Sequence, residues 1–337
     1  MPKLVRDPSI LDVARLAGVS HQTVSRVLND HPNVRDTTRQ RVRSAIAELG
    51  YRPNRAARAL VTGSYRSIGV VAPRSTLYGP ASLLAAFEEQ SALEGFTVTV
   101  TRLRTFTTSV VREAVGGLLD QRVAGLIVIA PLAAAADALD DLPDDLPLVA
   151  VDGHPSRAGS SATVDQVTGA RLATAHLLDA GHGTVWHVSG PPDWFDAAGR
   201  VTGWQAELRA RGIDPPPVID GDWTADSGYR AGQLLGRMPE VTAVFVANDA
   251  MAVGVLHALH EHGRRVPDDV SIVGFDDVPE AAHFIPPLTT VRQDFDAVAR
   301  ESLALLIERI DGSESVEGRL VVPSLVVRSS VAPPPGR

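Results

Sequence analysis

Several polar and aromatic side chains follow apolar, strand-like runs in this 337-residue chain. They are Asp152, Arg200, Trp223, Asn248, Asp276, Gln293 and Phe295. Carboxylates accept hydroxyl groups, a guanidinium donates in a fork, and an indole offers a flat apolar face to C–H groups. The set therefore suits a polyhydroxylated ring. A plainer interpretation is open for Asn248, which also suits the N-cap of a helix.

A second polar set lies near the N-terminus, within SHQTVSRVLN. On a helix this stretch turns Val24, Val27 and Leu28 inward, and its other face carries His21, Gln22, Thr23, Ser25, Arg26 and Asn29. Ser20 is a candidate N-cap for this helix. Side chains of this kind, on a second helix after a short turn, could enter the major groove of DNA.

The helix before it has apolar residues at i, i+3, i+4 and i+7, namely Ile10, Val13, Ala14 and Ala17. Ser9 is its N-cap and Asp12 stands three residues on, a weak form of the capping box. Gly18 can take the positive φ that ends the helix. The pair predicts a helix-turn-helix, with an ordinary helical hairpin as the alternative.

The charge of the chain is divided unevenly between its two parts. Residues 1–62 hold 11 Lys and Arg against 5 Asp and Glu, whereas the remainder holds 21 against 35, within a total of −8. A basic head on an acidic body confines attraction to phosphates to one end of the protein.

A third helix is predicted over residues 36–49, and Gly50 ends it. Pro53 forbids continuation, and Asn54 could cap a short helix on which Ala57 and Leu60 share a face. About eight residues are too few for a stable isolated helix. This linker is expected to fold on binding, with Leu60 as an apolar wedge for the minor groove, unless it is simply a flexible connection.

From Ser67 onward, buried strands alternate with helices. Such a pattern predicts parallel sheets covered on both faces, and the number of strands favours two αβ halves with a ligand cleft between them. The fold class is thus a small all-α helix-turn-helix head plus an α/β body. Asp249 and Asp277 are expected to be structural.

Other chemistry finds little support in the composition. The chain has no cysteine, no GxSxG and no Walker A loop, and no enzyme, cofactor or metal site is predicted. The N-terminus lacks an apolar signal region and no run of 18 apolar residues occurs, so we expect a cytoplasmic protein without membrane contact.

The residues carry a resemblance to a known family. DVARLAGVSHQTVSRVLN and YRPNRAARAL in the head, with GDWTADSGY, VANDAMAVG and VSIVGFDD in the body, resemble the lac-repressor/galactose-repressor family of bacterial transcription factors. The similarity spans essentially the whole chain, and the body is closest to the lac-repressor members. It implies two αβα halves of periplasmic-binding-protein type. The implied domains are a head at 1–53, a hinge at 54–63, one half at 66–164 and 292–322, the other at 165–291 and 323–331, and a disordered tail at 332–337.

The resemblance also implies roles for single residues. His21, Gln22 and Arg26 would contact bases, and a further set would contact the DNA backbone, namely Ser20, Thr23, Ser25 and Asn29. Asn54, Ala57 and Leu60 would form a hinge helix. The effector would be bound by Asp152, Arg200, Trp223, Asn248, Asp276 and Gln293, with Phe295, Pro73, Tyr78 and Gly79 at the wall and rim.

The implied protein is a repressor that a sugar, galactoside-like in type, releases from DNA. Pro73 and Tyr78 depart from the lac-repressor pattern, so the effector can differ, and His21 departs as well, so the operator can differ. The ending VAPPPGR has no heptad, which predicts a homodimer on a pseudo-palindromic operator. A purine-type regulator with a corepressor is the main alternative, and a sugar-binding transport protein is a remote one.

Overall fold

A computed structural model describes residues 8–28, 30–51, 66–130, 132, 138–139, 142–143, 145–151, 161–313 and 318–336. The chain divides into two compact units, a head of residues 1–65 and a body of residues 66–337. The predictions for Asn29, Asn54, Ala57, Leu60 and Asp152 lie outside the described residues.

The described residues of the head form three helices, α1 (Ile10–Ala17), α2 (His21–Leu28) and α3 (Asp36–Leu49). The predicted capping box of α1 is confirmed, because the Ser9 backbone N–H donates to Asp12 Oδ2 at 2.9 Å and the Asp12 N–H donates to Ser9 Oγ at 3.3 Å. Gly18 takes the left-handed conformation at φ 63°, which only glycine adopts at little cost. A three-residue turn therefore separates α1 from α2, as a helix-turn-helix requires.

The core of the head is made by the inward faces of all three helices. Val13, Val24 and Val42 are fully buried, with Ala17 and Val27 packed beside them. Burying a side chain of this size contributes roughly 1.5–3 kcal/mol. The remaining polar face of α2 is consequently free to point away from the core.

The described part of the body forms two six-stranded sheets, and each is covered by helices on both faces. The first sheet consists of β1 (Ser67–Pro73), β2 (Thr97–Leu103), β3 (Gly125–Ile129), β4 (Leu148–Val151), β5 (Ser161–Val164) and β11 (Arg319–Val321). Its order is β11-β5-β4-β3-β1-β2 and all of its pairs are parallel.

The second sheet consists of β6 (Trp186–Ser189), β7 (Ile219–Asp220), β8 (Ala243–Val246), β9 (Ser271–Asp276), β10 (Thr289–Arg292) and β12 (Ser324–Val326). Its order is β12-β10-β9-β8-β6-β7, and only the edge pair β10–β12 is antiparallel. The predicted parallel sheets are thus confirmed. Strand β10 ends at Arg292, and β11 and β12 then return the chain to the first and the second sheet, respectively.

Seven helices with described bounds connect the strands of the body: α4 (Tyr78–Leu93), α5 (Thr108–Asp120), α6 (Gln166–Asp179), α7 (Phe195–Ala210), α8 (Ala225–Leu235), α9 (Asp249–Glu261) and α10 (Phe295–Ile310). Helices α4 and α10 pack on one face of the first sheet and α5 on the other. Helices α8 and α9 cover one face of the second sheet, and α6 and α7 the opposite face. A 3-10 helix at Pro279–His283 was not predicted, because five residues carry no periodic apolar pattern.

The start of the predicted disordered tail is held against the body. Ser271 Oγ donates to the Ala332 carbonyl at 2.9 Å, and the Ala332 N–H donates back to Ser271 Oγ at 3.0 Å. Disorder therefore does not begin at residue 332. Among the described helices, none combines the length and apolar character needed to cross a membrane.

Candidate functional site

Arg200 is a buried residue of the candidate effector site, beside the carboxyl ends of the strands of the second sheet. It projects from α7, is only 2% exposed, and donates from Nε to Gln166 Oε1 at 2.9 Å and from Nη1 to the Ala247 carbonyl. Its Cζ lies 3.8 Å from the centroid of the Phe275 ring, a stacked cation–π arrangement. Arg200 is therefore an ordered, buried cation rather than a surface arginine.

A chain of side-chain amides continues from Arg200 to Asp276. Gln166 Nε2 donates to Gln293 Oε1 at 3.0 Å, and Gln293 Nε2 donates to Asp276 Oδ1 at 2.7 Å. These residues come from the start of α6, the position directly after β10 and the end of β9, so the network joins segments that are distant in sequence. All members are buried. Such satisfied networks hold side chains in one arrangement.

Asp276 is a buried carboxylate of the site, and its pKa is raised above the ordinary value. Burial raises its pKa, Arg200 and the Gln293 hydrogen bond lower it, the charge of Asp196 raises it, and the resulting pKa is about 6. Its backbone φ of 116° lies in a region that L residues rarely adopt. A strained, buried carboxylate at a strand end is typical of a binding site rather than of a structural cap.

Trp223 and Asn248 are held together by one hydrogen bond. Asn248 Nδ2 donates to the Trp223 carbonyl at 3.2 Å, while Asn248 Oδ1 accepts from the Met251 N–H at 2.8 Å. Asn248 is thus the N-cap of α9, and it also fixes Trp223, whose φ is 70°. The two interpretations of Asn248 apply at the same time.

The indole of Trp223 lies against Gly190, where an added Cβ would approach the ring to 2.2 Å. Any side chain added at Gly190, directly after β6, would therefore displace the indole. Trp223 is 5% exposed, and its Nε1 has no hydrogen-bond partner among the described residues. An unpartnered buried donor is costly, which makes it a candidate contact for a ligand.

Two of the predicted rim residues, Tyr78 and Phe295, contact each other in the first half of the body. Tyr78, the first residue of α4, meets Phe295 edge-on with ring centroids 6.1 Å apart, and both are half-buried. Burial raises the pKa of Tyr78, a side-chain hydrogen bond with Ser82 lowers it, and the charges of Asp276, Asp277 and Asp249 raise it further. Pro73 is half-buried at the end of β1.

The two neighbouring aspartates have structural partners. Asp249 accepts from Thr290 Oγ1 at 2.6 Å and from the Val278 N–H at 2.9 Å, and burial together with the charge of Asp276 raises its pKa to about 8. Asp277 pairs with Arg292 and Arg328, both at 2.6 Å. This agrees with the structural roles expected for both.

Three residues of this site were missed by the sequence analysis: Gln166, Asp196 and Phe275. Gln166 follows the strand SATV, so the strand-end pattern applied there would have found it. Asp196 stands four residues before Arg200 on one helix, and its carboxylate lies 3.6 Å from Arg200 Nη2. Phe275 ends an apolar strand and nothing in the sequence separates it from the core. Among the described residues, no group of three or more His, Asp or Glu side chains is arranged to hold a metal ion.

The head presents its polar residues on α2. Ser20, His21, Gln22 and Arg26 are exposed, whereas Thr23 and Ser25 are half-buried. Ser20 Oγ accepts from the Thr23 N–H at 3.2 Å, which confirms Ser20 as the cap of α2. The exposed base-reading candidates thus lie on the first and second turns of the second helix, the position that a helix-turn-helix uses in the major groove.

Two family models match the chain, one in the head and one in the body. Residues 9–54 match the family described as bacterial regulatory proteins, lacI family, and residues 174–331 match a periplasmic binding protein-like domain. The chain is 36% identical over 329 residues to the lactose operon repressor of Escherichia coli (strain K12), covering 97% of this chain and 91% of that protein. The chain belongs to the lacI family of bacterial regulatory proteins.

Other lacI-family members are similar over the same span. The HTH-type transcriptional repressor PurR of Vibrio atlanticus (strain LGP32) is 33% identical over 330 residues, covering 96% of this chain and 98% of PurR. A crystal structure of the lac repressor dimer bound to operator and the anti-inducer ONPF superposes with a TM-score of 0.87 at 34% identity, covering 97% of this chain and all of that one. This lacI-family chain is therefore a DNA-binding transcriptional regulator, not an enzyme, and family membership alone leaves its effector open.

Proposed function

We propose that the protein is a homodimeric repressor whose grip on a pseudo-palindromic operator is weakened by a galactoside-like sugar. The observation that carries this proposal is the Arg200–Gln166–Gln293–Asp276 network, which presents a buried fork of donors beside a buried carboxylate. Bidentate donors and carboxylates are the groups that recognise paired ring hydroxyls. Support also comes from the similarity to a lactose operon repressor.

The DNA-binding part of the proposal assigns the exposed face of α2 to the major groove. His21, Gln22 and Arg26 contact base edges, and Ser20, Thr23, Ser25 and Asn29 contact the backbone. The net charge of +6 on residues 1–62 supplies the phosphate attraction that an acidic protein otherwise lacks. In a cytoplasmic two-fold dimer, two such helices read the two half-sites of one operator.

The hinge part of the proposal assigns Asn54, Ala57 and Leu60 to a helix that orders on DNA, with Leu60 as the wedge. Leu60→Ala is expected to weaken operator binding while sugar binding stays intact. Sugar in the cleft shifts the equilibrium away from DNA by its differential affinity for the two states, a coupling of roughly 1–3 kcal/mol.

The purine-type alternative predicts the opposite response to ligand. Trp223 disfavours it, because the purine responders of this family resemble a phenylalanine-stacked site at this position, where this chain has an indole. Asp152 is proposed as a further hydroxyl acceptor, and Pro73, Tyr78 and Phe295 as the apolar rim.

The test begins with selection of duplexes from a random DNA pool by the full-length protein. A pseudo-palindromic consensus is expected, and its release by lactose or isopropyl thiogalactoside is then measured by fluorescence anisotropy. Hypoxanthine is the matched purine probe. Tighter operator binding with hypoxanthine, and no effect of any sugar, would establish the corepressor alternative and refute the proposal.

A further inference from the structure

Three successive residues at the end of β9 are each held by a different part of the body. Asp276 accepts from Gln293 Nε2 at 2.7 Å, and Asp277 accepts from two arginines. The Val278 N–H donates to Asp249 Oδ2 at 2.9 Å. Asp276 and Asp277 have φ values of 116° and 55°, two consecutive conformations that L residues rarely adopt and that persist only where the surroundings fix them. The contacts of Asp277 therefore bear on the position of Asp276, its neighbour in the candidate effector site.

The two arginines bind opposite oxygens of one buried carboxylate. Arg292 Nε donates to Asp277 Oδ2 and Arg328 Nη2 donates to Asp277 Oδ1, both at 2.6 Å. The side chain of Asp277 is only 7% exposed. Hydrogen bonds between two ionised groups are short and strong, and removal of one partner from a buried pair leaves an uncompensated charge. Asp277 therefore ties the two arginines to one point.

Each arginine belongs to a segment that links the two halves of the body. Arg292 ends β10 of the second sheet, and after Gln293 and Asp294 the chain enters α10, which packs on the first sheet. Arg328 follows β12 of the second sheet, and two residues separate β12 from β11 of the first sheet. Any relative movement of the halves has to turn at such links. Asp277 thus joins two of them beside the effector site.

Arg328 is also fixed to the strand that carries Arg292. Its N–H donates to Thr289 Oγ1 at 2.9 Å, and its Nη1 donates to the Leu288 carbonyl at 2.7 Å. The Arg328 side chain is 17% exposed, against 56% for that of Arg292. Substitution of Arg292 therefore removes one ion pair from Asp277 and leaves the buried contacts of Arg328 in place.

We propose that Asp277 is a positioning residue for the effector response, and that its two arginines transmit the state of Asp276 to the links between the halves. A ligand that displaces Asp276 turns the adjoining peptide unit, and because this unit is planar, Asp277 moves with it. The movement reaches one link through Arg292 and the other through Arg328. This inference rests on the proposed function, since a ligand at Asp276 has to alter operator affinity, but it holds for either sense of that effect.

The test measures the coupling between the two sites as the ratio of operator dissociation constants with and without saturating ligand. It uses the full-length protein, fluorescence anisotropy on the selected operator, and lactose or isopropyl thiogalactoside, whichever releases the operator more. Couplings between sites commonly amount to roughly 5–150-fold. In Asp277→Asn this ratio is expected to fall about fivefold or more, because the amide oxygen serves only one arginine and the amide nitrogen faces the other. Operator affinity without sugar and sugar affinity of the free protein are expected to stay nearly unchanged.

Three further variants make the result specific. Arg292→Gln is expected to lower the ratio as well, and it decides the outcome if Asp277→Asn proves unstable in urea unfolding. Asp277→Glu keeps the carboxylate and is expected to retain part of the coupling. Asp269→Asn is the matched control, because Asp269 also pairs with an arginine, Arg265, and lies before the opposite end of β9. Its ratio is expected to equal that of the unmodified protein.

An unchanged ratio in Arg292→Gln or in a stable Asp277→Asn would overturn the inference. An equal fall in Asp269→Asn would overturn it too, as would a fall that disappears when more sugar is added to a variant of weakened sugar affinity. If hypoxanthine rather than sugar alters operator binding by the unmodified protein, the proposed sugar response fails, and the same ratio measured with hypoxanthine decides the role of Asp277. If neither ligand alters operator binding, both proposals fail.

Discussion

Gln166 and Gln293 lie in hydrogen-bond contact at 3.0 Å although 127 residues separate them along the chain. Their amides link the Nε of Arg200 to the carboxylate of Asp276. Arg200 and Asp276 are thus held by a pair of glutamines that need not touch a ligand themselves. Positioning of this kind has consequences that can be measured.

Gln166→Ala is expected to lower sugar affinity about tenfold, because Arg200 loses an acceptor and Gln293 loses a donor in a buried network. Operator affinity without sugar is expected to stay within twofold. Calorimetry and anisotropy measure the two quantities. Gln121→Ala, at an exposed glutamine, is the control. Unchanged sugar affinity in Gln166→Ala would show that the network does not position Arg200.

Sugar affinity is expected to fall on acidification through pH 6. The pKa of Asp276 is about 6, and its ionised form is the hydroxyl acceptor, so affinity is full above this pH and is lost below it. Between pH 8 and pH 5 the loss is about tenfold for one proton. The charges of Arg200 and Asp196 act on this pKa, and Asp249, whose own pKa is about 8, takes up its proton before pH 6 is reached. Asp276→Asn is expected to bind weakly at every pH, and affinity that rises on acidification would contradict this assignment.

Gly190→Ala is expected to destabilise the body by about 1–3 kcal/mol, since the new methyl group overlaps the Trp223 ring at 2.2 Å. Sugar affinity falls as well, because the indole is displaced. Gly183→Ala serves as the control, since nothing lies within 4 Å of its added Cβ. Urea unfolding with calorimetry measures both effects. Equal stability of the two variants would rule out the close packing of Trp223 on Gly190.

Gln22→Ala is expected to weaken operator binding by about 1–3 kcal/mol, the cost of losing a bidentate base contact. The stability of the head is expected to stay unchanged, because Gln22 is exposed on α2. The equally exposed Gln40 on α3 provides the matched variant, Gln40→Ala. Fluorescence anisotropy on the selected operator measures the affinity of both variants. An equal loss of operator affinity in both would contradict the placement of α2 in the major groove.

His187 is expected to make the body less stable in acid. It stacks on Phe245 with centroids 4.6 Å apart, and complete burial lowers its pKa to about 3 from the ordinary 6.5. Because the unfolded chain binds this proton and the folded one does not, stability is present above pH 6.5 and is lost as pH falls below it. The loss is about 2 kcal/mol at pH 5 relative to His187→Asn, which does not titrate. If the free energies of unfolding of the two proteins, measured with urea, change equally between pH 7 and pH 5, a buried neutral histidine is excluded.

The sequence by itself determined the helix-turn-helix, the two parallel sheets and most residues of the candidate site. Periodic apolar positions specify helices and strands locally, and residues that follow parallel strands meet at one edge of a sheet. Asp276, Asn248 and Gln293 could be named for that reason. The capping residues Ser9, Gly18 and Ser20 were equally visible, since caps act within one turn.

Only the tertiary structure decided which of those side chains touch. Three contacts depend on how separate segments approach one sheet edge: the Gln166–Gln293 hydrogen bond, the stacking of Arg200 on Phe275, and the edge-on contact of the Trp194 and Trp223 rings. Their geometry arises from packing among distant segments, for which local periodicity carries no information. The raised pKa of Asp276 follows from the same packing, because burial is a property of the folded chain.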